Sequence, residues 1–260
     1  MSTYMARPPA RELFVKSIES LSPHMKRVVL TGESLSDFPP DQASAYIKLI
    51  FDNPAMPGKP LRRSYTVVSS DQRARHLTID FAVHPDACDQ GPAARWLEDA
   101  RIGDPISVSG PGPTKLVDLD ADWFVLVGDL TALPAIRANI EILPAHAEGY
   151  VILEIPHQDD QQSLLLEASL IPKGMELIWV INPHPGQQKE LLKETLANLP
   201  HFPGDPYLWA ASELNAVLEI RNWVNEESLA PRSSRYISSY WQLGLPDEAH
   251  KIQKKERLSE

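Results

Sequence analysis

Apolar and polar residues alternate along the first part of the chain in the pattern of antiparallel strands. The clearest run covers residues 76–84, where Leu77, Ile79, Phe81 and Val83 fall on one face. Further strands are predicted at residues 13–18, 25–31, 46–51, 63–68 and 106–109, with one short helix at 95–100. These strands suffice for a small antiparallel β-barrel.

After residue 122 the pattern changes to unbroken apolar runs separated by helix-length segments. The runs are residues 123–127, 150–155, 177–181 and 207–211, and the predicted helices are 133–142, 187–198, 214–226 and a weaker one at 164–169. Strands buried on both faces of a parallel sheet require such runs. We therefore predict two domains: a β-barrel over residues 1–115, then a doubly wound α/β domain over 122–260 that ends in a helical extension.

Composition narrows the classes of function. The formal net charge of −10 works against nucleic acid or an anionic membrane as the main partner. No run reaches the roughly 20 apolar residues that span a bilayer, and the first residues lack the apolar core of a secretory signal, so we expect a cytoplasmic protein without membrane insertion. Because Cys88 is the single cysteine, redox chemistry would have to come from a bound cofactor.

The first motif whose side chains could bind a cofactor is Arg63-Ser64-Tyr65-Thr66, on a predicted barrel strand. A tyrosine ring can lie against an isoalloxazine, a threonine hydroxyl can hydrogen-bond its polar edge, and an arginine can pair with a phosphate. Alone, the tetrapeptide is equally an ordinary strand with a surface arginine and a packed tyrosine.

The second motif, Gln90-Gly91-Pro92-Ala93-Ala94-Arg95-Trp96, follows the alternating strand and opens a helix. Small residues let a pyrophosphate approach the backbone, and the free N–H groups of a helix start favour negative charge. The alternative is an ordinary loop without a binding role, followed by a helix with a proline in its first turn. Together the two motifs can hold a flavin dinucleotide, with its phosphates between Arg63 and the Gly91 turn.

The chain resembles the siderophore-interacting proteins, a branch of the ferredoxin-NADP reductase-like flavoproteins. In the first domain the resemblance is carried by residues 63–67, Asp80-Phe81-Ala82-Val83-His84, residues 91–96, Gly103-Asp104 and Ser109-Gly110-Pro111. In the second domain it is carried by Gly128-Asp129-Leu130-Thr131-Ala132-Leu133-Pro134-Ala135-Ile136, Trp209-Ala210-Ala211-Ser212-Glu213 and Tyr240-Trp241-Gln242-Leu243-Gly244.

The resemblance implies that the barrel binds FAD and that the turn at residues 129–134 receives a pyridine nucleotide. Tyr65 and Thr66 would face the flavin, Arg63 and the Gly91 turn would hold the pyrophosphate, and His84 would contact the cofactor. The full set of cofactor-binding residues so predicted is Arg63, Ser64, Tyr65, Thr66, Val67, His84, Gly91, Pro92, Ala93, Ala94, Trp96 and Thr131. No catalytic side chain and no metal-ligand set is predicted.

Three positions depart from the family pattern. Val68 stands where the family often has arginine, Ser212 replaces a glycine, and Gln242 replaces an arginine after the late Tyr-Trp. The first bears on FAD affinity. The other two bear on nucleotide or substrate contacts.

The implied activity is reduction of ferric iron held in a siderophore, by single electrons from bound FAD, with NAD(P)H or reduced ferredoxin as the donor. Since the net charge would repel an anionic chelate, local cations are expected at the substrate site, and Lys48, Lys251, Lys254 and Lys255 are the candidates. The terminal lysines could equally belong to a solvated amphipathic helix. The alternatives are a general NAD(P)H-dependent flavin or ferredoxin reductase and a flavoprotein that only sequesters the siderophore. We expect a monomer.

Overall fold

The first half of the chain forms a closed barrel of six antiparallel strands. The computed structural model describes residues 9–83, 91–162, 166–245 and 247–258. The barrel strands are β1 (Arg11–Ser22), β2 (Met25–Thr31), β3 (Tyr46–Phe51), β4 (Leu61–Asp71), β5 (His76–Ala82) and β6 (Pro105–Ser109). They are ordered β1-β2-β5-β4-β3-β6 around the barrel. The closed barrel confirms the architecture that the alternating pattern predicted.

The barrel interior is filled by one face of each strand. Leu77, Ile79 and Phe81 of β5 are buried, which confirms the face predicted from their alternation. The helix α1 (Pro92–Asp99) packs Ala93 and Leu97 against the same core. It begins three residues earlier than predicted because Pro92 occupies the first turn, where its missing N–H costs nothing.

The second half is a five-stranded parallel sheet with helices on both faces. Its strands are β7 (Trp123–Asp129), β8 (Glu148–Ile155), β9 (Gly174–Ile181), β10 (Pro206–Glu213) and β11 (Arg235–Trp241), in the order β11-β10-β7-β8-β9. Every residue of β7 and β10 is buried, as strands covered on both sides require. The helices are α2 (Leu133–Ile142), α3 (Leu191–Ala197), α4 (Leu214–Glu226) and the terminal α5 (Asp247–Leu258).

Each face of the sheet has its own core. Leu133, Ile136 and Ile140 of α2 pack with Trp209 and Leu153 on one face. On the other face, helices α3 and α4 pack against the alternate residues of the same strands. This arrangement is the predicted doubly wound fold.

The two halves share packing as well as a linker. Leu21 and Met25, from the first barrel hairpin, belong to the core that α2 covers. The linker is held by hydrogen bonds: Trp209 Nε1 donates to the Lys115 carbonyl at 2.9 Å, and Val117 N donates to Asn139 Oδ1 at 2.7 Å.

A second set of polar contacts joins the barrel hairpin to the segment after β8. Ser22 Oγ donates to Asp160 Oδ1 at 2.6 Å, and His24 Nδ1 lies 2.7 Å from Asp160 Oδ2. The Asp160 side chain is fully buried, so both contacts are shielded from water.

The structure differs from the sequence prediction in three places. Strand β11 was not predicted, because its single aliphatic residue, Ile237, gives no apolar run. Helix α3 starts at Leu191 rather than 187, since a turn in which Gln187 N bonds the His184 carbonyl precedes it. The weak helix at 164–169 lies partly outside the described residues, and a 3₁₀ turn at Ala168–Leu170 follows. None of the described helices is long and apolar enough to cross a bilayer.

Candidate functional site

A row of aromatic rings runs from strand β4 to helix α1. The Tyr65 ring centroid lies 4.3 Å from that of Phe81, which in turn lies 5.8 Å from Trp96 in a stacked arrangement. Phe81 is buried, whereas Tyr65 and Trp96 are partly exposed. Tyr65 therefore offers a supported aromatic surface on which a flat ring system can rest.

Two groups suited to phosphate lie near this row. Arg63 precedes Tyr65 by two residues on the same strand, so both side chains leave the same side of the sheet. Its Nη1 donates to the Arg62 carbonyl at 2.9 Å. The second group is the start of α1, whose N-cap residue, Gly91, has no side chain to cap the first-turn N–H groups.

The described residues do not crowd the start of α1. Among the described residues, no heavy atom lies within 4 Å of an ideal Cβ built on Gly91. The ring surface suits the isoalloxazine of a flavin dinucleotide, and the guanidinium and the helix start suit its pyrophosphate.

Thr66 faces the second domain. It is buried, and its side chain hydrogen-bonds that of Tyr240 at the end of β11, which also bonds Tyr236. Burial, with the nearby Tyr236, raises the pKa of Tyr240 well above its ordinary value, so its hydroxyl stays protonated. Tyr240 belongs to the sequence motif at residues 240–244, but no role was predicted for it. The structure brings it into contact with Thr66, one of the predicted cofactor-binding residues.

The lysines predicted to bind the substrate lie on two elements, Lys48 on β3 and the other three on α5. Lys48 on β3 is paired with Ser64 and Ser109 on its two neighbouring strands, beside the predicted flavin site. A further cation that the sequence analysis did not single out is Lys115, whose ammonium lies 5.9 Å from the Tyr236 ring centroid.

The three terminal lysines lie on α5. Lys254 is partly buried and donates to Ser238 Oγ at 2.7 Å and to the Ser239 carbonyl at 2.6 Å, so it ties α5 to β11. Lys251 and Lys255 are exposed. His250 Nε2, buried, lies 2.6 Å from Ser239 Oγ and strengthens the same attachment.

The turn after β7 contains the Gly-Asp-x-Thr motif. Gly128 must be glycine, because a Cβ there would lie 2.7 Å from both the Ala211 carbonyl oxygen and Ala132 Cβ. Asp129 is buried and accepts from the backbone N–H of Thr131 at 2.9 Å. Thr131 thus shapes the turn at the carboxyl edge of the sheet, where ligands of such folds bind.

Three buried carboxyl groups share this edge: Asp129, Glu154 and Glu213. Burial, with the negative charges of Asp129 and Glu213, raises the pKa of Glu154 to about 8. Burial also raises the pKa of Glu213, although the N–H groups of Asn215 and Ala216 oppose this by donating to its carboxylate. Glu154 is therefore mostly neutral near pH 7 while its neighbours are held by donors.

The structure shows what surrounds each of the three residues that depart from the family pattern. Ser212 Oγ donates to Asp129 Oδ2 at 2.9 Å, and Gln242 Nε2 donates to Gln253 Oε1 of α5 at 2.9 Å. Val68 lines an interdomain groove of about 280 Å³ together with Arg27 and Arg137. The groove is therefore already flanked by two arginines without one at position 68.

The remaining predicted cofactor residues divide by position. Val67 is fully buried in the barrel core, and its backbone groups bond Ser44 and Ala45, so its side chain contributes to the core and its cofactor role stays a prediction. Pro92, Ala93 and Ala94 form the first turn of α1, and Ser64 is exposed on β4. His84 lies outside the described residues, and its role stays a prediction.

A closed barrel with a supported aromatic surface, followed by a doubly wound sheet, is the architecture of the ferredoxin reductase-like flavoproteins. The fold agrees with a ferredoxin NADP⁺ reductase from Neisseria gonorrhoeae at a TM-score of 0.64, over 90% of this chain and all of that one, at 13% identity. That likeness concerns the fold alone.

The family models identify a narrower group within this fold class. Residues 121–244 match the family model of the siderophore-interacting protein, and residues 14–59 and 54–115 match that of the siderophore-interacting FAD-binding domain. The chain belongs to the siderophore-interacting protein family, and its barrel is that family's FAD-binding domain.

Relatives span the whole chain. The ferric vibriobactin reductase ViuB of Vibrio cholerae is 32% identical over 96% of both chains. The crystal structure of the siderophore-interacting protein SipS from Aeromonas hydrophila matches with a TM-score of 0.84 and 33% identity, covering 97% of this chain and 99% of that one. A siderophore utilization protein from T. fusca matches with a TM-score of 0.80 and 30% identity, covering 93% and 97%.

Proposed function

We propose that this protein reduces the ferric iron of a siderophore, with bound FAD as the electron carrier. The observation that carries the proposal is the row of Tyr65, Phe81 and Trp96 rings on the barrel, with Arg63 on the strand of Tyr65 and the start of α1 four residues before Trp96. The relative ViuB, named a ferric vibriobactin reductase, supports the choice of substrate.

The residues of this chain would bind and orient the cofactor. The Tyr65 ring would lie against the isoalloxazine, Arg63 and the first-turn N–H groups of α1 would neutralise the pyrophosphate, and Thr66 would present its hydroxyl at the ring's polar edge. Bound FAD supplies the ability to accept electrons from a donor and to pass them on singly.

Reduction of the chelated iron would release it. Hydroxamate and catecholate oxygens are hard donors that hold ferrous iron far less tightly than ferric iron. Since a ferric siderophore needs only close approach to the flavin, an open cleft suffices. Lys48 beside the barrel site, with Lys251, Lys254 and Lys255 on α5, would collect an anionic chelate against the chain's net charge of −10.

The electron donor would be NAD(P)H or a reduced ferredoxin. The turn at residues 129–134 lies at the carboxyl edge of the sheet, where nucleotides bind in related folds. We further propose that the protein acts as a monomer in the cytoplasm and that residues 1–115 and 122–260 are its two domains.

One anaerobic experiment tests this function. The FAD-loaded protein is reduced with a stoichiometric amount of dithionite and mixed with a ferric siderophore or with its gallium(III) analogue, which has the same charge and shape but cannot be reduced. We expect the flavin spectrum to return to the oxidised form with iron alone, together with one ferrous ion per electron, captured by a ferrous-specific chelator. The same protein is then reduced with NADH, NADPH or ferredoxin to identify the donor.

The outcomes separate the alternatives. A chelate that binds in both metal forms but leaves the flavin reduced would identify a protein that only sequesters siderophores. A flavin that reacts with free flavins or ferredoxin but with no ferric chelate would identify a general reductase. Protein that fails to take up FAD would contradict the proposal as a whole.

A further inference from the structure

A polar groove of about 380 Å³ lies between α4 and α5 and shares no residue with the predicted flavin site. Its charged lining consists of three cations and two carboxylates: Lys189, Arg221, Arg257, Glu219 and Glu256. Lys189 Nζ and Glu219 Oε1 pair at 2.8 Å, so these two charges largely cancel. A net positive charge remains, in a chain whose total is −10.

Arg221 is the unusual member of this lining. Its Nε and Nη1 atoms are buried and have no hydrogen-bond partner among the residues that the structure describes. A guanidinium stays charged at ordinary pH, so donor atoms without an acceptor favour binding of a negatively charged group. Since the residue as a whole is partly exposed and lines the groove, an anion bound there would pair with the guanidinium once the side chain turns its donors toward it.

The surroundings of Arg221 increase this need. Arg232 and Arg221 lie close enough to Arg235 that, with burial as the main cause, they lower its pKa. The hydrogen bonds of Arg235 go to neutral oxygens, those of the Ala230 carbonyl and Asn225 Oδ1. The charge of Arg221 thus lies close to a second guanidinium whose printed partners are neutral, so it is not offset from that side.

We propose that the groove between α4 and α5 is a binding site for an oxyanion, with Arg221 as its central donor and phosphate as the ligand group. Arg257, whose Nη1 donates to Asn215 Oδ1 at 3.2 Å, borders the site from α5. Because the ligand would contact both helices, its binding would also hold α5 against α4.

The test compares thermal unfolding of FAD-loaded wild type, Arg221→Met and the matched control Arg75→Met, whose arginine pairs with Glu33 on the barrel. Inorganic phosphate and AMP are titrated separately against chloride at constant ionic strength. Each ligand should raise the melting temperature of wild type and of Arg75→Met by linkage. The ligand affinity obtained from these shifts should be about ten- to hundredfold lower for Arg221→Met. Without ligand, Arg221→Met should melt no lower than wild type, since the unpaired charge is gone.

A second readout follows α5 directly. Amide hydrogen exchange in residues 247–258 should slow when phosphate is added to wild type but not to Arg221→Met. Tighter binding of AMP than of phosphate would identify a phosphate ester as the ligand, and the reverse would identify the free ion.

Two results would overturn the proposal. One is an equal phosphate response in wild type and Arg221→Met. The other is a lower melting temperature for both Arg221→Met and Glu256→Gln in phosphate-free buffer, with no further loss in the double variant, because that pattern would show that Glu256 already satisfies Arg221.

Discussion

Trp241, at the end of β11, donates its indole N–H to the carboxylate of Asp129, at the end of β7, over 2.7 Å. The two strands are not neighbours, because β10 lies between them. The bond therefore closes the carboxyl edge of the sheet from its outer strand to the turn that contains Thr131, and Ser212 of β10 donates to the same carboxylate from between them.

Replacing Ser212 by alanine should destabilise the protein. The hydroxyl is one of the donors to a buried carboxylate, and hydrogen bonds to charged groups contribute about 1.5 to 3 kcal/mol. Urea unfolding should show a loss of unfolding free energy of that order, with a lower midpoint and an unchanged m-value. Ser169→Ala, at an exposed serine whose hydroxyl also bonds a carboxylate, should show little change, and equal effects in the two variants would contradict a special role for Ser212.

The protonation of Glu154 should make stability depend on pH. Its pKa is about 8 in the folded protein against an ordinary 4.5, so the folded state keeps a proton that the unfolded chain releases, and stability falls as pH rises between these values. Each pKa unit corresponds to roughly 1.4 kcal/mol. Glu154→Gln, which mimics the protonated form, should therefore gain stability over wild type progressively from about pH 5 to about pH 8.

The measurement is a series of thermal unfolding curves across that range. Glu148→Gln, at the exposed start of the same strand, is the control and should follow wild type at every pH. A constant difference between Glu154→Gln and wild type would show that Glu154 is ionised throughout.

Replacing Arg63 by alanine should weaken FAD binding by about ten- to hundredfold, because a guanidinium–phosphate pair forms charge-assisted hydrogen bonds. Fluorescence titration of the apoprotein measures the effect. Arg62→Ala is a closely matched control, since the adjacent residue of a strand points to the opposite face. If both variants bind FAD like wild type, Arg63 is a surface residue and the phosphate is held elsewhere.

The lysines should act on substrate capture rather than on FAD. Lys48→Ala, and separately the double change of Lys251 and Lys255 to alanine, should slow flavin reoxidation by an anionic ferric siderophore and reduce its salt dependence, because exposed charges are screened over roughly 8 Å at physiological ionic strength. FAD content should not change.

A neutral hydroxamate chelate is the control substrate for these variants and should be much less affected. Equal slowing for both chelates, or for neither, would mean that the lysines do not steer the substrate. Lys254 is best tested apart, since its bonds to Ser238 and Ser239 mean that its loss would also loosen α5.

The sequence predicted what depends on periodic burial. Alternation gave the barrel face of Leu77, Ile79 and Phe81, and continuous apolar runs gave β7 and β10, since a strand covered on both sides has no place for polar residues. Motifs in sequence order then identified the family, because Arg63 to Thr66 and the Gly128 turn each have a local chemical meaning.

What the sequence did not predict depends on contacts between distant residues. β11 is held by parallel pairing with β10 and by tyrosines that pack on Trp209, so its own composition gives little signal. The contact of Tyr240 with Thr66 and the high pKa of Glu154 arise only when strands far apart in sequence end at one edge.

The first barrel hairpin places Leu21 and Met25 in the core beneath α2, and Ser22 and His24 of the same hairpin bond the buried Asp160. A barrel expressed alone would expose these apolar side chains to water, and the sheet expressed alone would expose the apolar residues they cover and lose the Ser22 and His24 donors to Asp160. The chain is thus two units by topology but one by folding cooperativity, and we expect it to melt in a single transition. Exchange of barrels between relatives would succeed only if the hairpin remained with its own sheet.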